Sequence, residues 1–240
     1  MPKKRRHGTP RVLPVRVTQR EDGLLALQVG GVTQSVSVPD AAGDAPPGAA
    51  YWALMLPPGC PANALLLGLG GGTTATLLAR RCPGVHMVGV ERDAEVLAIA
   101  RETFGLGAIA GLEVVEADAF AWAAAQLDEE GAPWPDVTRF DLICVDLFEG
   151  GRLVAGTLAT PFLRQLAALV APGGMVACNL MVTGRTPEQL HRLQRVFHIE
   201  RELRLRGNLI VHLKPLAQEE QRAGAGVTAD APPTPPQPQR

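Results

Sequence analysis

Apolar residues in this chain gather into short runs, and the spacing between runs changes character along the sequence. From Ala62 onward, runs at 63–68, 85–91, 112–117, 140–146 and 174–180 alternate with stretches at 73–82, 93–104, 118–128 and 158–170 whose apolar positions recur at helical spacing. Runs that are apolar on both faces suit strands inside a parallel sheet. Helical segments between such strands imply right-handed βαβ crossovers. Ala171-Pro172-Gly173-Gly174 predicts a turn into the fifth strand. A helix is expected over 187–197. Two further runs, His198 to Leu205 and Leu209 to Leu213, flank Arg206-Gly207-Asn208 and read as a closing antiparallel hairpin.

Upstream the pattern is different. Val12, Leu13, Val15 and Val17 precede a Glu-Asp-Gly turn at 21–23. Leu24, Leu25, Leu27 and Val29 follow, then Gly30-Gly31, then Val32, Ser35, Val36 and Val38. Short β-branched runs punctuated by Asp-Gly and Gly-Gly predict a small antiparallel meander. Residues 39–49 read as a loop, and Tyr51 to Leu56 as a short helix closed by Pro57-Pro58. The expected organisation is a disordered basic tail at 1–10, an N-terminal β-region at 11–50, an α/β domain at 51–215 and a disordered Pro-rich tail at 216–240.

Composition narrows the function classes. A chain of 240 residues that is 46% apolar has room for one sizeable α/β domain with appendages. A net charge of −1 gives no general pull toward nucleic acid or an acidic membrane. The basic cluster Lys3 to His7 reads as a solvated terminus. No apolar run follows it, so neither a signal peptide nor a membrane span is expected, and the default location is the cytoplasm. Cys60, Cys82, Cys144 and Cys178 form no CxxC pair, and the last two sit in apolar runs as buried free thiols. The histidines show no zinc-type spacing with them, so no metal site is expected.

The chemistry gathers at the ends of the runs. Gly68-Leu69-Gly70-Gly71-Gly72-Thr73 fits GxGxG, with Gly68, Gly70 and Gly72 as its glycines. Thr73 stands where a dinucleotide fingerprint needs a glycine. A turn without Cβ atoms lets backbone lie against a nucleoside cofactor that carries no phosphate, such as S-adenosylmethionine. Glu91 ends the second run and suits two ribose hydroxyls. Asp118 ends the third, where it and Ala119 suit an adenine amino group, and it also suits a helix N-cap. Asp146 ends the fourth. Carboxyl ends of central strands are where open α/β sheets bind ligands.

On these residues, the segment 62–180 resembles the class I S-adenosylmethionine-dependent methyltransferase fold, and within it the spermidine synthase-like group. The likeness lies in the glycine motif preceded by Leu66 rather than an acid, in Glu91, in Asp118-Ala119-Phe120, and in the acid-rich loop Asp146-Leu147-Phe148-Glu149. Gly31-Val32-Thr33-Gln34-Ser35 resembles the group's Gly-x-x-Gln element. The resemblance implies a seven-stranded, mostly parallel sheet with a C-terminal antiparallel hairpin. It also implies S-adenosylmethionine or its decarboxylated form as donor, Asp146 or Glu149 as proton acceptor, Gln34 and Tyr51 toward the substrate, a small-molecule acceptor, and a homodimer. The chain departs from the group's aminopropyltransferases. Gly71 stands where those have Asp, Glu149 where they have a second Asp, and Tyr51-Trp52-Ala53 where they have a Tyr-His-Glu type element. Three readings stay open: a methyltransferase, a polyamine aminopropyltransferase, and a non-catalytic module of the same fold.

Overall fold

The computed structural model describes residues 13–39 and 50–216. The expected tail at 1–10, the body of the 39–49 loop and the Pro-rich tail beyond Leu216 lie outside the described residues.

The meander forms as its turns predict. Strands β1 (Val15–Gln19), β2 (Leu25–Val29) and β3 (Val32–Val36) make a separate antiparallel sheet in that order. Gly30 and Gly31, at φ 61° and 81°, supply the two positive dihedrals that a two-residue hairpin turn requires. After α1 (Ala50–Leu54) the alternation begins: β4 (Asn63–Leu67), α2 (Thr73–Arg81), β5 (His86–Glu91), α3 (Ala94–Thr103), β6 (Leu112–Glu116), α4 (Ala119–Ala125) and β7 (Phe140–Val145). A two-stranded hairpin follows, β8 (Phe148–Glu149) and β9 (Arg152–Leu153). Then come α5 (Thr160–Leu169), β10 (Val170–Met181), α6 (Thr186–Gln194), β11 (Phe197–Leu205) and β12 (Asn208–Pro215).

The seven-stranded sheet has the order β11-β12-β10-β7-β4-β5-β6. Strands β10, β7, β4, β5 and β6 pair parallel, and β12 pairs antiparallel with both β10 and β11. This is the sheet that the resemblance implies. Two expectations needed adjustment. Ala171-Pro172-Gly173-Gly174 does not separate a helix from a strand; it bulges within β10, whose pairing with β7 shifts register between Val170 and Met175. Pro172 has no N–H to give the ladder, and Gly173 sits at φ 78°. The β8–β9 hairpin was not expected, although Gly150 (φ 53°) and Gly151 (φ 77°) repeat the Gly-Gly signal of the meander.

Burial on both faces explains the continuous apolar runs. In β4, Ala64 and Leu66 pack on one side with Leu78 of α2, Leu97 of α3 and Trp52 of α1. Leu65 and Leu67 pack on the other with Ala123 of α4 and with Phe162 and Leu166 of α5. Full burial of each leucine contributes roughly 1.5–3 kcal/mol, and β4 contributes from both faces.

Strand order reverses beside β4: the chain runs outward through β5 and β6, then returns to β7. The backbones leaving β4 and β7 diverge there from near contact. Asp146 N–H donates to Leu67 O at 2.9 Å, and Gly68 N–H to Val90 O at 3.0 Å. Gly68 takes φ +84°, and a Cβ on it would lie 2.2 Å from the Asp146 carbonyl oxygen. Gly68→Ala should therefore lower stability by on the order of 2 kcal/mol or more, read by urea denaturation. A variant as stable as the parent would contradict this close approach.

Candidate active site

A cavity of about 280 Å³ opens at the carboxyl ends of β4, β5, β6 and β7. Its floor is Gly68, Gly70, Glu91, Asp118, Ala119 and Asp146. Gln34, Leu13 and Val29 of the N-terminal region and Phe148 and Glu149 of the β8–β9 hairpin close it from above. The position is the switch point of the sheet, where strand order leaves a crevice.

Glu91 organises one wall. Its Oε2 accepts from Gly70 N–H at 3.0 Å, and its Oε1 from Arg92 N–H at 2.9 Å and Asp93 N–H at 3.1 Å. A carboxylate offers about four acceptor positions, so the group fixes the turn and still has capacity to receive a hydroxyl. Asp93 then caps α3, accepting from Glu95 and Val96 N–H through Oδ1. Asp118 behaves alike at α4, its Oδ1 taking Phe120 and Ala121 N–H at 3.0 Å each. Its helix-cap role is thus present, and the residue also lines the cavity.

The glycine turn is occupied by its own protein. Gly70 N–H goes to Glu91, Gly71 N–H to Ser35 Oγ at 2.7 Å, and Gly72 N–H to Leu69 O at 3.0 Å. A phosphate site needs such N–H groups free and aimed at the anion. Among the described residues the only cation lining the cavity, Arg92, faces Glu149 at 3.4 Å in a half-exposed pair. The glycine turn thus offers a pyrophosphate no free N–H group. Gly72 is not in the cavity wall; a Cβ there would meet Leu106 Cδ1 at 2.6 Å, so this glycine serves packing.

The N-terminal sheet is bolted to the same turn. Thr73 Oγ1 accepts from Val36 N–H at 2.9 Å and donates to Val36 O at 2.8 Å, while Ser35 Oγ donates to Gln34 O at 2.7 Å. Ser35 and Thr73 are buried. A Cβ on Gly71 would lie 2.8 Å from Ser35 Cβ. Neither Gln34-Ser35-Val36 nor Gly72-Thr73-Thr74 marks this clasp in the sequence.

Asp146 anchors the other wall. Asn179 Nδ2 donates to its Oδ1 at 2.8 Å, and the Tyr51 hydroxyl donates to its Oδ2 at 3.5 Å. Burial is the main reason its carboxyl is held up at about 6. The hydrogen bonds from Asn179 and Tyr51 pull the other way, and the charge of Glu91 adds to the rise. Tyr51 itself is pushed well above the usual phenol range, by burial first and then by Asp146. Its helix is held to the sheet by His212, whose Nε2–H donates to Leu54 O at 2.7 Å; burial lowers the proton affinity of that ring. Tyr51 thus reaches Asp146 without lining the cavity, and Gln34 lines it. Glu149 stands at the rim, exposed. The residue missed by sequence reasoning is Asn179, although an amide within the apolar run 175–180, near a strand's carboxyl end, marks it.

Cys144 and Cys178 are buried free thiols, as expected. Burial pushes Cys178 up to about 12 and Cys144 further, so neither is a nucleophile. Cys60 and Cys82 form a disulfide across the loop that holds β4, at the end of the sheet away from the cavity. The sequence did not signal it. Among the described residues no cluster could hold a metal ion, and no helix is long and apolar enough to cross a membrane.

No family model matches the chain. A probable polyamine aminopropyl transferase from Bifidobacterium longum is 30% identical over 118 residues, 49% of this chain and 24% of that protein. An eEF1A lysine and N-terminal methyltransferase from Bos taurus is 28% identical over 122 residues, 50% of this chain and 18% of that one. The chain spans well under half the length of the curated relatives it matches. Spermidine synthase from Thermotoga maritima superposes with a TM-score of 0.63 at 15% identity, covering 87% of this chain and 71% of that one. Human methyltransferase-like protein 13 in complex with SAH gives 0.58 at 23% identity, covering 69% and 79%. With the strand order and the switch-point cavity, these likenesses establish the spermidine synthase-like form of the class I S-adenosylmethionine-dependent methyltransferase fold as the fold of this chain.

Proposed function

We propose that the protein is an S-adenosylmethionine-dependent transferase that moves a methyl group to a small-molecule nucleophile. The observation that carries the reading is that Glu91, Asp118 and Asp146 line one cavity whose glycine turn has no N–H left for a phosphate. Glu91 would receive a ribose hydroxyl, Asp118 and Ala119 the adenine edge, and the backbone at Gly68 and Gly70 the methionine part. The bound donor supplies an electrophilic methyl carbon on a sulfonium.

Asp146 would face the acceptor, a reading supported by its place in the cavity wall next to Leu147, Phe148 and Glu149. With its carboxyl near 6 it is ionised at neutral pH and has more proton affinity than a free aspartate. It can therefore take the proton that a primary amine or hydroxyl loses as its lone pair bonds to carbon. Gln34, in the cavity wall, would contact the acceptor, and Tyr51 would act on it only through its hydrogen bond to Asp146. Glu149, exposed and paired with Arg92, is the weaker candidate for the base.

Aminopropyl transfer is the second reading, favoured by the names of the relatives. Against it stands Gly71. The acid that the resemblance expects there has no space, because Ser35 Cβ would lie 2.8 Å from its Cβ. A small-molecule acceptor and a homodimer complete the proposal, and nucleic acid does not enter it. The cytoplasmic location expected from the sequence has the Cys60–Cys82 bridge against it, since such bridges persist in oxidising compartments.

Calorimetry with S-adenosylmethionine, its decarboxylated form and methylthioadenosine separates the readings. The methyltransferase predicts preference for the intact donor; preference for the decarboxylated one would overturn it, and failure of all three would favour a non-catalytic module. Glu91→Gln should raise the donor Kd about tenfold or more, the worth of one hydrogen bond to a charged group; an unchanged Kd would remove Glu91 from the site. A second prediction follows from Asp146. Its proton affinity is higher folded than unfolded, so between pH of about 4 and about 6 the folded state binds the extra proton and loses stability as pH rises. Urea denaturation should show Asp146→Asn gaining on the parent across that window and the difference levelling above it. A difference constant with pH would contradict the raised carboxyl.

A further inference from the structure

Behind Asp146 the hydrogen bonds continue away from the cavity. Asn208 Nδ2 donates to Asn179 Oδ1 at 3.0 Å, and Asn179 Nδ2 donates to Asp146 Oδ1 at 2.8 Å. Asn208 does not line the cavity. It opens β12 at the root of the β11–β12 hairpin, paired with Met181 on one side and Leu205 on the other, and its Nδ2 also lies 3.8 Å from Met181 Sδ. The tight turn before it uses Arg206 at φ 53°, the one non-glycine residue with positive φ among the described residues.

An amide has two nearly identical ends, and an ionised carboxylate accepts hydrogen bonds and donates none. Toward a protonated Asp146, which can donate as well as accept, Asn179 alone could present either its NH2 or its carbonyl. Its other end decides. Because Asn208 offers NH2, a reversed Asn179 would set NH2 against NH2 on one side and carbonyl against carboxylate on the other. Both contacts repel, in a half-buried setting where unmet polar groups are costly.

We propose that Asn208 is a positioning residue: by donating to Asn179 it fixes that amide with its NH2 toward Asp146, and so keeps Asp146 as the hydrogen-bonded carboxylate that accepts the substrate's proton. The proposal rests on the reading of Asp146 as the base. Asn208 acts only through Asn179, so its effect must vanish when Asn179 can no longer be oriented.

Other groups also act on Asp146 and must be held constant. Tyr51 of α1 donates to it, and the charge of Glu91 at the end of β5 opposes its ionisation. Cys144 of β7 and Cys178 of β10 feel its charge. Asp93, Asp118, Glu149 and Arg92 share its cavity. None of these is bonded to Asn208, so substituting it leaves them in place.

The test is a carbon-13 NMR titration of aspartate carboxyls in the full, ligand-free chain, with Asp146 identified by the signal lost in Asp146→Asn. Asn208→Leu, close in volume and uncharged, should raise the Asp146 midpoint by about 0.5–1 pH unit, because a hydrogen bond to the charged form is weakened. In an Asn179→Leu background the same substitution should move it by less than about a third of that, as a double-mutant cycle requires of a relay. Asn208→Ala is read in the same way should the leucine variant not fold. A midpoint that stays or falls in the Asn208 variants, or one that rises equally without Asn179, would overturn the proposal. The titration uses neither donor nor acceptor. A failed relay therefore leaves the transferase reading standing, and failed donor binding leaves the relay measurable.

Discussion

The carboxylate of Glu91 is the constraint on which the rest of the site depends. It ends a buried strand, yet it gathers three backbone N–H groups from two separate loops: Gly70 from the glycine turn after β4, and Arg92 and Asp93 from the turn after β5. A charge so placed costs desolvation unless its oxygens are met, and backbone donors meet them without any cation. The result is a rigid acceptor at the mouth of the sheet. The glycine turn that elsewhere cradles phosphate is here pulled onto protein acceptors on both sides, by Glu91 and by Ser35.

That second contact explains why the N-terminal meander is part of the site. Ser35 and Thr73 clasp β3 against the start of α2 through buried hydroxyls. The clasp brings Gln34 into the cavity wall and excludes any side chain at Gly71. Opposite, α1 is held by His212 so that Tyr51 reaches Asp146. The floor of the cavity is thus built by the sheet and its upper parts by the appendages. This division suits a fold in which donor chemistry stays fixed while the acceptor changes.

The strands and helices of the α/β domain were legible because burial on both faces leaves continuous apolar runs such as Ala64–Leu67, and each helix between them shows its own period. The carboxylates Glu91, Asp118 and Asp146 were legible because strand ends in such a sheet converge. Asn179 and Asn208 were not read, since their partnership spans 29 residues and depends on the β10–β12 register. The Ser35–Gly71 contact spans 36 residues and was hidden for the same reason. Cys60 and Cys82 looked unrelated because the loop that brings them together encloses a whole strand and helix. The β8–β9 hairpin, by contrast, carried a Gly150-Gly151 signal that was available and unused.

On the proposed reading, one cleft holds the donor's nucleoside between Glu91 and Asp118 with its sulfur end toward Asp146. A crystal structure with S-adenosylhomocysteine tests it most directly. A ribose hydroxyl should lie within hydrogen-bond distance of the Glu91 carboxylate, the adenine beside Asp118 and Phe120, and the sulfur on the Asp146 side of Gly68. A ligand seated elsewhere, or a ribose turned away from Glu91, would contradict it.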